Sequence, residues 1–352
     1  MTIETNNKTQ SLRWKLAQSQ PITAFLLLSF AWSWFFWFAA IPFREQNPLL
    51  VMTIVFIGGY GPAMGAILTL GLKNGLSSEF SGKKLILTAV ASLLIFGLLI
   101  ARYLIGNIPG YDRLPQDLTL TLPVMISAIF ASQVGGWVIS NALSNNTDIR
   151  ERMKSILPRN LPHGWTLLAV FFFTGILLLS WGLASLLGLP VEYPPVWQYP
   201  LPKVILLFLL AFSLTALARG GMEEPGWRGL LQPAMQQKFS PLLASIIVSL
   251  FWSLWHLPLF LNGFYSEDIL AGMFGGGIYR ILLAIILTWF LNKTGGSLFL
   301  MIFLHTSFNM MVNYIPFSDT VLVVLLLIVV IVMVITGKMW RITRPEPSLI
   351  KE

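Results

Sequence analysis

The chain contains no cysteine. That excludes disulfides, cysteine-ligated zinc and a thiol nucleophile. Charge is also scarce: only 11% of the 352 residues are Asp, Glu, Lys or Arg, against roughly a quarter in a soluble domain. Histidine occurs three times. There is no His-Glu-x-x-His zinc signature and no Gly-x-Ser-x-Gly nucleophile elbow, which removes the soluble zincin and α/β-hydrolase types. The net charge of +8 does not mark a nucleic-acid binder. The charges flank apolar blocks and form no basic face, so no nucleic-acid partner is expected.

What the chain has instead is apolar length. Hydrophobic residues make up 55%, gathered in uncharged blocks of the length a bilayer demands, about 20 residues each. The blocks are Ile22–Phe43, Leu49–Leu72, Leu85–Ile105, Thr119–Leu143, Trp165–Leu189, Leu201–Ala218, Pro241–Leu261, Ile269–Leu291, Ser297–Ile315 and Thr320–Gly337. They predict an all-α, polytopic transmembrane helical bundle of about ten spans, with the lipid bilayer as its partner. The first block is too long for a signal-peptide core and reads as a span. Thr119–Leu143 is the weakest block, diluted by Gln133, Gly135, Gly136 and Asn141. Gly272–Gly277 reads as a surface for close helix packing, with ligand lining as the alternative.

Basic residues give orientation. With the N-terminus inside, the inner segments hold Lys8, Arg13, Lys15, Lys73, Lys83, Lys84, Arg150, Arg152, Lys154, Arg159, Arg219, Arg228, Lys238, Lys293, Lys338, Arg341, Arg344 and Lys351. The outer segments hold Arg44, Arg102, Arg113 and Lys203, and Arg280 falls within a span. Both termini are therefore expected in the cytoplasm, with Asn145 to Gly164 a polar inner loop.

Ionisable residues inside the apolar region cluster between Arg219 and Asn309: Arg219, Glu223, Glu224, Arg228, His256, Arg280 and His305. Such groups are costly in a bilayer and mark an interior cavity. Three elements carry them. In the segment Gly220 to Gly229, Glu223 and Glu224 are adjacent carboxylates, one of which can serve as a general base. Pro225 predicts that one helix ends near Gly220 and another starts at Pro225; a continuous helix would instead let Glu224 and Arg228 pair one turn apart. The plain alternative is a solvated loop at the membrane boundary. His256 lies in an apolar span with Trp252 one turn before it; the plain alternative is a packed histidine bonded to a backbone carbonyl. His305 and Asn309 share a helix face, where Asn309 can donate to an oxyanion, or the two can simply join helices. His163, in the polar loop, is expected to have no special role.

Glu-Glu-x-x-x-Arg, then aromatic-x-x-x-His, then His-x-x-x-Asn, in that order, resembles the CPBP family of CAAX prenyl proteases and bacteriocin-processing enzymes, also called Abi proteins. The matching region runs from about Leu201 to Ile315. The resemblance implies three regions: an N-terminal membrane region over 1–200, the catalytic helical core over 201–315 in the C-terminal half, and a last span with a cytoplasmic basic tail over 316–352. It implies an intramembrane endopeptidase whose catalytic residues are Glu223, Glu224, Arg228, His256, His305 and Asn309. Glu223 would activate water, Arg228 would orient or neutralise the carboxylates, the two histidines would bind water, oxyanion or metal, and Asn309 would stabilise the oxyanion. The family usually has Phe where Trp252 stands. The spelling Glu-Glu-Pro-Gly-Trp-Arg-Gly is familiar in bacterial members, implying a bacterial plasma membrane. The substrate implied is a peptide or protein, membrane-anchored or not.

No cofactor is required by these motifs. Zinc stays open, with Glu223, His256 and His305 as candidate ligands; no compact pair such as His-x-x-x-His is present, so weak zinc binding at most is expected. The chain has no Gly-Asp pair, unlike presenilin-type aspartyl proteases. Straight spans place Glu223 near the inner edge, His256 about 22 Å deep and His305 about 12 Å deep, at 1.5 Å per residue. Tilt, a re-entrant segment at Gly229–Ser240 or deeper helix starts could reconcile them. The expected reaction occurs in a cavity open to the cytoplasm. Rival readings are an ion- or proton-coupled transporter and a non-catalytic membrane scaffold or immunity protein.

Overall fold

The computed structural model describes residues 14–74, 81–105, 120–157, 163–265 and 268–342. Lys8, Arg13, Arg113, Arg159, Arg344 and Lys351 lie outside these residues. The helices are α1 (Lys15–Ser19), α2 (Pro21–Ala39), α3 (Pro48–Gly59), α4 (Gly61–Asn74), α5 (Gly82–Ile105), α6 (Leu122–Ser140), α7 (Thr147–Lys154), α8 (His163–Leu187), α9 (Leu201–Ala218), α10 (Gly220–Gly226), α11 (Gln232–Gln236), α12 (Pro241–Trp255), α13 (Leu257–Leu261), α14 (Ile269–Lys293), α15 (Leu298–Met311) and α16 (Asp319–Thr336). Among the described residues there is no strand; one isolated bridge joins Glu192 and Phe317.

Nine of the described helical stretches are long and apolar enough to cross a membrane, and the chain is an integral membrane protein. The tenth expected span, α15, has 14 residues. That is about 21 Å at 1.5 Å per residue, short of a hydrocarbon core of about 30 Å. No residue of α15 is exposed. A helix ringed by protein is not held to the bilayer's thickness, and among the described residues α15 makes a tenth passage through the bundle.

Hydrogen bonds sort the connections onto two ends. At one, Trp14 N bonds Leu72 O at 3.0 Å, Phe299 N bonds Ser155 O at 2.8 Å and Leu242 N bonds Met339 O at 3.0 Å; Asn74 meets Asp148 and Lys84 meets Asn141. At the other, Glu192 pairs with Phe317 and Trp197 Nε1 donates to Tyr314 O at 2.8 Å. The alternation read from the sequence is therefore a spatial one. Two residues leave it: Arg219 and Arg228, counted with the inner segments, sit inside the bundle, Arg228 only 1% exposed. The segment Asn145 to Gly164 is likewise more than a loop, since it holds α7 and the first residue of α8, His163.

The sixth span differs most from expectation. It runs from Leu201 to Gln236, past the expected end at Ala218. The break falls at Arg219, with φ −142° and ψ −131°, and helix resumes at Gly220, not at Pro225. Pro225 lies within α10, where it cannot donate to Gly221 O. A π-helical turn, Trp227–Leu231, follows and carries the chain on into α11. π turns occur mostly as local bulges at functional sites. The break leaves the last carbonyls of α9 without helical partners; the phenol of Tyr60, from the α3–α4 junction, donates to Leu217 O at 2.8 Å. Gly226 presses on the backbone of Pro62, where a Cβ has no room, and this fixes α10 against α4.

The long sixth span also resolves the mismatch in depth. Glu223 lies 13 residues from the end at Gln236, about 20 Å at 1.5 Å per residue, which matches His256. Gly229–Ser240 is not re-entrant, since helix continues through Gln236. For His305, α15 begins among the connections at the basic end, with Leu298 buried and Phe299 bonded to Ser155.

Candidate active site

Glu223 and Glu224 both project from α10 into protein, 7% and 0% exposed, so the solvated-loop alternative does not hold. Glu224 Oε1 accepts from two groups. Arg228 Nη1 donates at 3.1 Å from one turn on, the pairing a continuous helix permits. His305 Nδ1, from α15, lies at 2.7 Å. A carboxylate only accepts, so the proton on His305 sits at Nδ1 and its Nε2 is left for the cavity.

Trp252, in α12, touches four members of the cluster. Its Nε1–H donates to Glu223 Oε2 at 2.6 Å. Its carbonyl accepts from His256 Nδ1 at 2.7 Å. Its ring lies 4.4 Å from the Arg228 guanidinium carbon, and it meets the His305 ring edge-on at 5.1 Å. His256 sits at the C-terminal end of α12, where Pro258 interrupts the ladder. The carbonyl of Trp255, freed there, accepts from Trp34 Nε1 at 3.0 Å. The backbone-bonded histidine foreseen as the plain alternative is thus present, and it fixes the proton on Nδ1, leaving Nε2 as the second group. Trp255 meets the His256 ring edge-on at 4.8 Å and Tyr265 stacks on it at 5.9 Å.

Glu223, His256, His305 and Asn309 line one cavity of about 390 Å³. Gly220 lines it too. A Cβ there would stand 2.8 Å from Asn309 Nδ2 and 2.9 Å from His305 Nε2, so a glycine keeps the space beside these two groups. Glu224 and Arg228 are not among the lining residues; they form a buried support behind His305. The six residues expected at the site are therefore together, four facing the cavity and two behind it.

The cavity departs from expectation in three ways. It extends to Phe317, Asp319 and Leu322, toward the end where Glu192 pairs with Phe317, not toward the Lys- and Arg-rich end where a cytoplasmic opening was expected. On the basic side the turn Trp227–Leu231 is buried, with Gly229 against Leu298 and Arg152. Its wall includes Trp37, Val55 and Gly59, from a region without motifs; nothing in the aromatic run Trp32 to Trp37 distinguishes Trp37 from its neighbours. Arg219, Arg280, Tyr265 and Tyr279 line it as well, and only the placing of the two arginines in apolar surroundings signalled them. Gly272–Gly277 is not a packing seam throughout. Gly272 abuts Phe260, but Gly275 and Gly277 face open space and Gly276 lines the cavity. In the loop before α14, burial pushes the Tyr265 phenol up, against the pull of Arg280 and Arg219.

A three-ligand zinc set does not fit these positions. Among the described residues no three His, Asp or Glu side chains converge as metal ligands. One oxygen of Glu223 is occupied by an N–H donor.

Residues 203–311 match the type II CAAX prenyl endopeptidase Rce1-like family. The chain is also similar to CAAX prenyl protease 2 of Methanococcus maripaludis, 37% identical over 112 residues, which are 30% of this chain and 39% of the relative. It thus spans well under half the length of that relative. The matched stretch contains α10, α12, α14 and α15 with all three motifs, and over it the chain is similar to the CAAX prenyl protease members of the CPBP family.

Proposed function

We propose that the protein is an intramembrane endopeptidase that hydrolyses a peptide bond with water activated by Glu223. The observation that carries this is the convergence of a buried carboxylate, His305 Nε2 and Asn309 Nδ2 beside Gly220 in one cavity. Glu223, held through Oε2 by Trp252, takes a proton from water as its oxygen attacks the peptide carbonyl, and returns that proton to the leaving amine. The developing oxyanion accepts from Asn309 and from His305 Nε2. For that donation His305 is an imidazolium, which the Glu224 carboxylate at its Nδ1 stabilises. Arg228 pairs with Glu224 and holds it in place. His256 Nε2, lacking a proton in the neutral ring, accepts a hydrogen bond from the water or the substrate amide.

The substrate is a peptide or a protein, drawn from the bilayer or from its surface. With both termini in the cytoplasm, as the basic residues indicate, the cavity is reached from the opposite side. The test is cleavage of a peptide library by the full chain in liposomes. Glu223→Gln keeps the shape and removes the base, so cleavage should vanish while the protein stays folded; His163→Ala should cleave at the wild-type rate. Full activity of Glu223→Gln refutes the assignment.

A further inference from the structure

The hydrolytic reading gives no part to Arg280. Arg280 lies in α14 and lines the same space as Glu223 and His256. Its guanidinium interacts with the Tyr265 phenol, while its Nη1 is buried and has no hydrogen-bond partner. Among the described residues it forms no ion pair. The other groups nearby are committed. Asp319 accepts the Tyr279 phenol at 2.9 Å. Arg219 lies over the rings of Phe264 and Phe56, at 5.0 and 5.6 Å. Glu224 is held by Arg228 and His305. Arg280 is close enough to act electrostatically on both His256 and Tyr265, so its charge reaches the hydrolytic cluster.

A guanidinium at this depth is costly unless an anion meets it. Its planar fork suits a carboxylate, which it can hold through two parallel hydrogen bonds. The walls around it are aromatic, and the cavity, at about 390 Å³, is near the small end of ligand sites. We propose that Arg280 is a carboxylate-binding residue, and that the peptides taken by the site carry a carboxylate that seats on Arg280 while the bond to be cut lies beside Gly220. This rests on the hydrolytic reading for the nature of the ligand, but not for the binding itself. The carboxylate is a chain terminus or an acidic side chain; the chemistry at Arg280 is the same.

Binding is measured without turnover, in the full chain carrying Glu223→Gln in lipid nanodiscs. Trp37, Trp252 and Trp255 line the cavity, so tryptophan fluorescence reports occupancy. The probes are N-acetyl-Leu-Leu-Phe as free acid, its C-terminal amide, and N-acetyl-Leu-Asp-Phe amide. At least one acid should bind about tenfold or more tighter than the neutral amide, and which acid wins separates terminus from side chain. Arg280→Gln should bring all three within about twofold, and Arg280→Lys should keep part of the preference. The proposal is overturned if the neutral amide binds as well as both acids, if the preference survives Arg280→Gln, or if neither acid saturates. If Arg280→Gln does not fold, the acid–amide comparison in the parent and in Arg280→Lys still decides. A protein that prefers the acids yet cleaves nothing when Glu223 is intact sinks the hydrolytic reading alone.

Discussion

The indole N–H of Trp252 donates to Glu223 Oε2 at 2.6 Å, so one of the two carboxylate oxygens is held by an uncharged donor. The family usually has Phe at this position, which offers an aromatic face but no donor. Trp252→Phe should keep the ring beside Arg228 and His305 and lose only the bond to Glu223. A hydrogen bond to a charged group contributes roughly 1.5–3 kcal/mol. The expected result is a fall in kcat of about 10- to 100-fold with KM little changed, read from full kinetic curves. A rise in KM alone would mean that Trp252 serves substrate binding.

Gly220 leads to a second prediction. A methyl group at Gly220 would displace the ends of His305 and Asn309, and side-chain ends move at small cost. Gly220→Ala should therefore leave the melting temperature within a few degrees, while turnover falls on the order of 100-fold, as for loss of an oxyanion donor. A melting temperature lowered in step with activity would show that Gly220 serves folding.

A third prediction concerns metal. The placing of Glu223, His256 and His305 gives no three-ligand set, so purified protein should hold well under one zinc per chain, and chelator should leave cleavage unchanged. The measurement is elemental analysis before and after dialysis against chelator. One zinc per chain, lost in His256→Ala, would reverse this conclusion.

Sidedness supplies the fourth. The chain has no cysteine, so single cysteines can be introduced and labelled without a background. A cysteine at Asp319 should react with an impermeant maleimide from the side opposite to one at Lys338. Equal reaction from one side would contradict the arrangement of α16 across the membrane.

What the sequence disclosed followed from chemistry that is local along the chain. Glu224 and Arg228, four apart, announce their pairing, and His305 and Asn309 announce a shared face. The apolar blocks announce the nine long spans and α15 as well, though not the shortness of α15. The helix end expected near Gly220 lies beside the break at Arg219, but the restart was placed at Pro225 because proline is a known helix breaker; helix resumes at Gly220 and a π turn follows, and nothing in the local residues signals that. The bond from Glu224 to His305 joins residues 81 apart, and the role of Trp37 in the wall depends on α2 lying against α12. Such relations exist only once the helices have packed. The direction in which the cavity extends is likewise a property of the assembled bundle.

The shortness of α15 separates the reacting groups from the lipid. Helices in contact with lipid respond to bilayer thickness by tilting, at a fraction of a kcal/mol per Å of mismatch. α15 has no exposed residue, so this elastic load falls on the surrounding helices and reaches His305 and Asn309 only through them. Two consequences attach to the same feature. Its sequence is freed from the demand for unbroken hydrophobicity, which is why His305, Thr306, Ser307 and Asn309 can follow so closely. And the protein can be refitted to a thicker or thinner membrane by lengthening or trimming its outer helices, with the register between α10 and α15 left as it is.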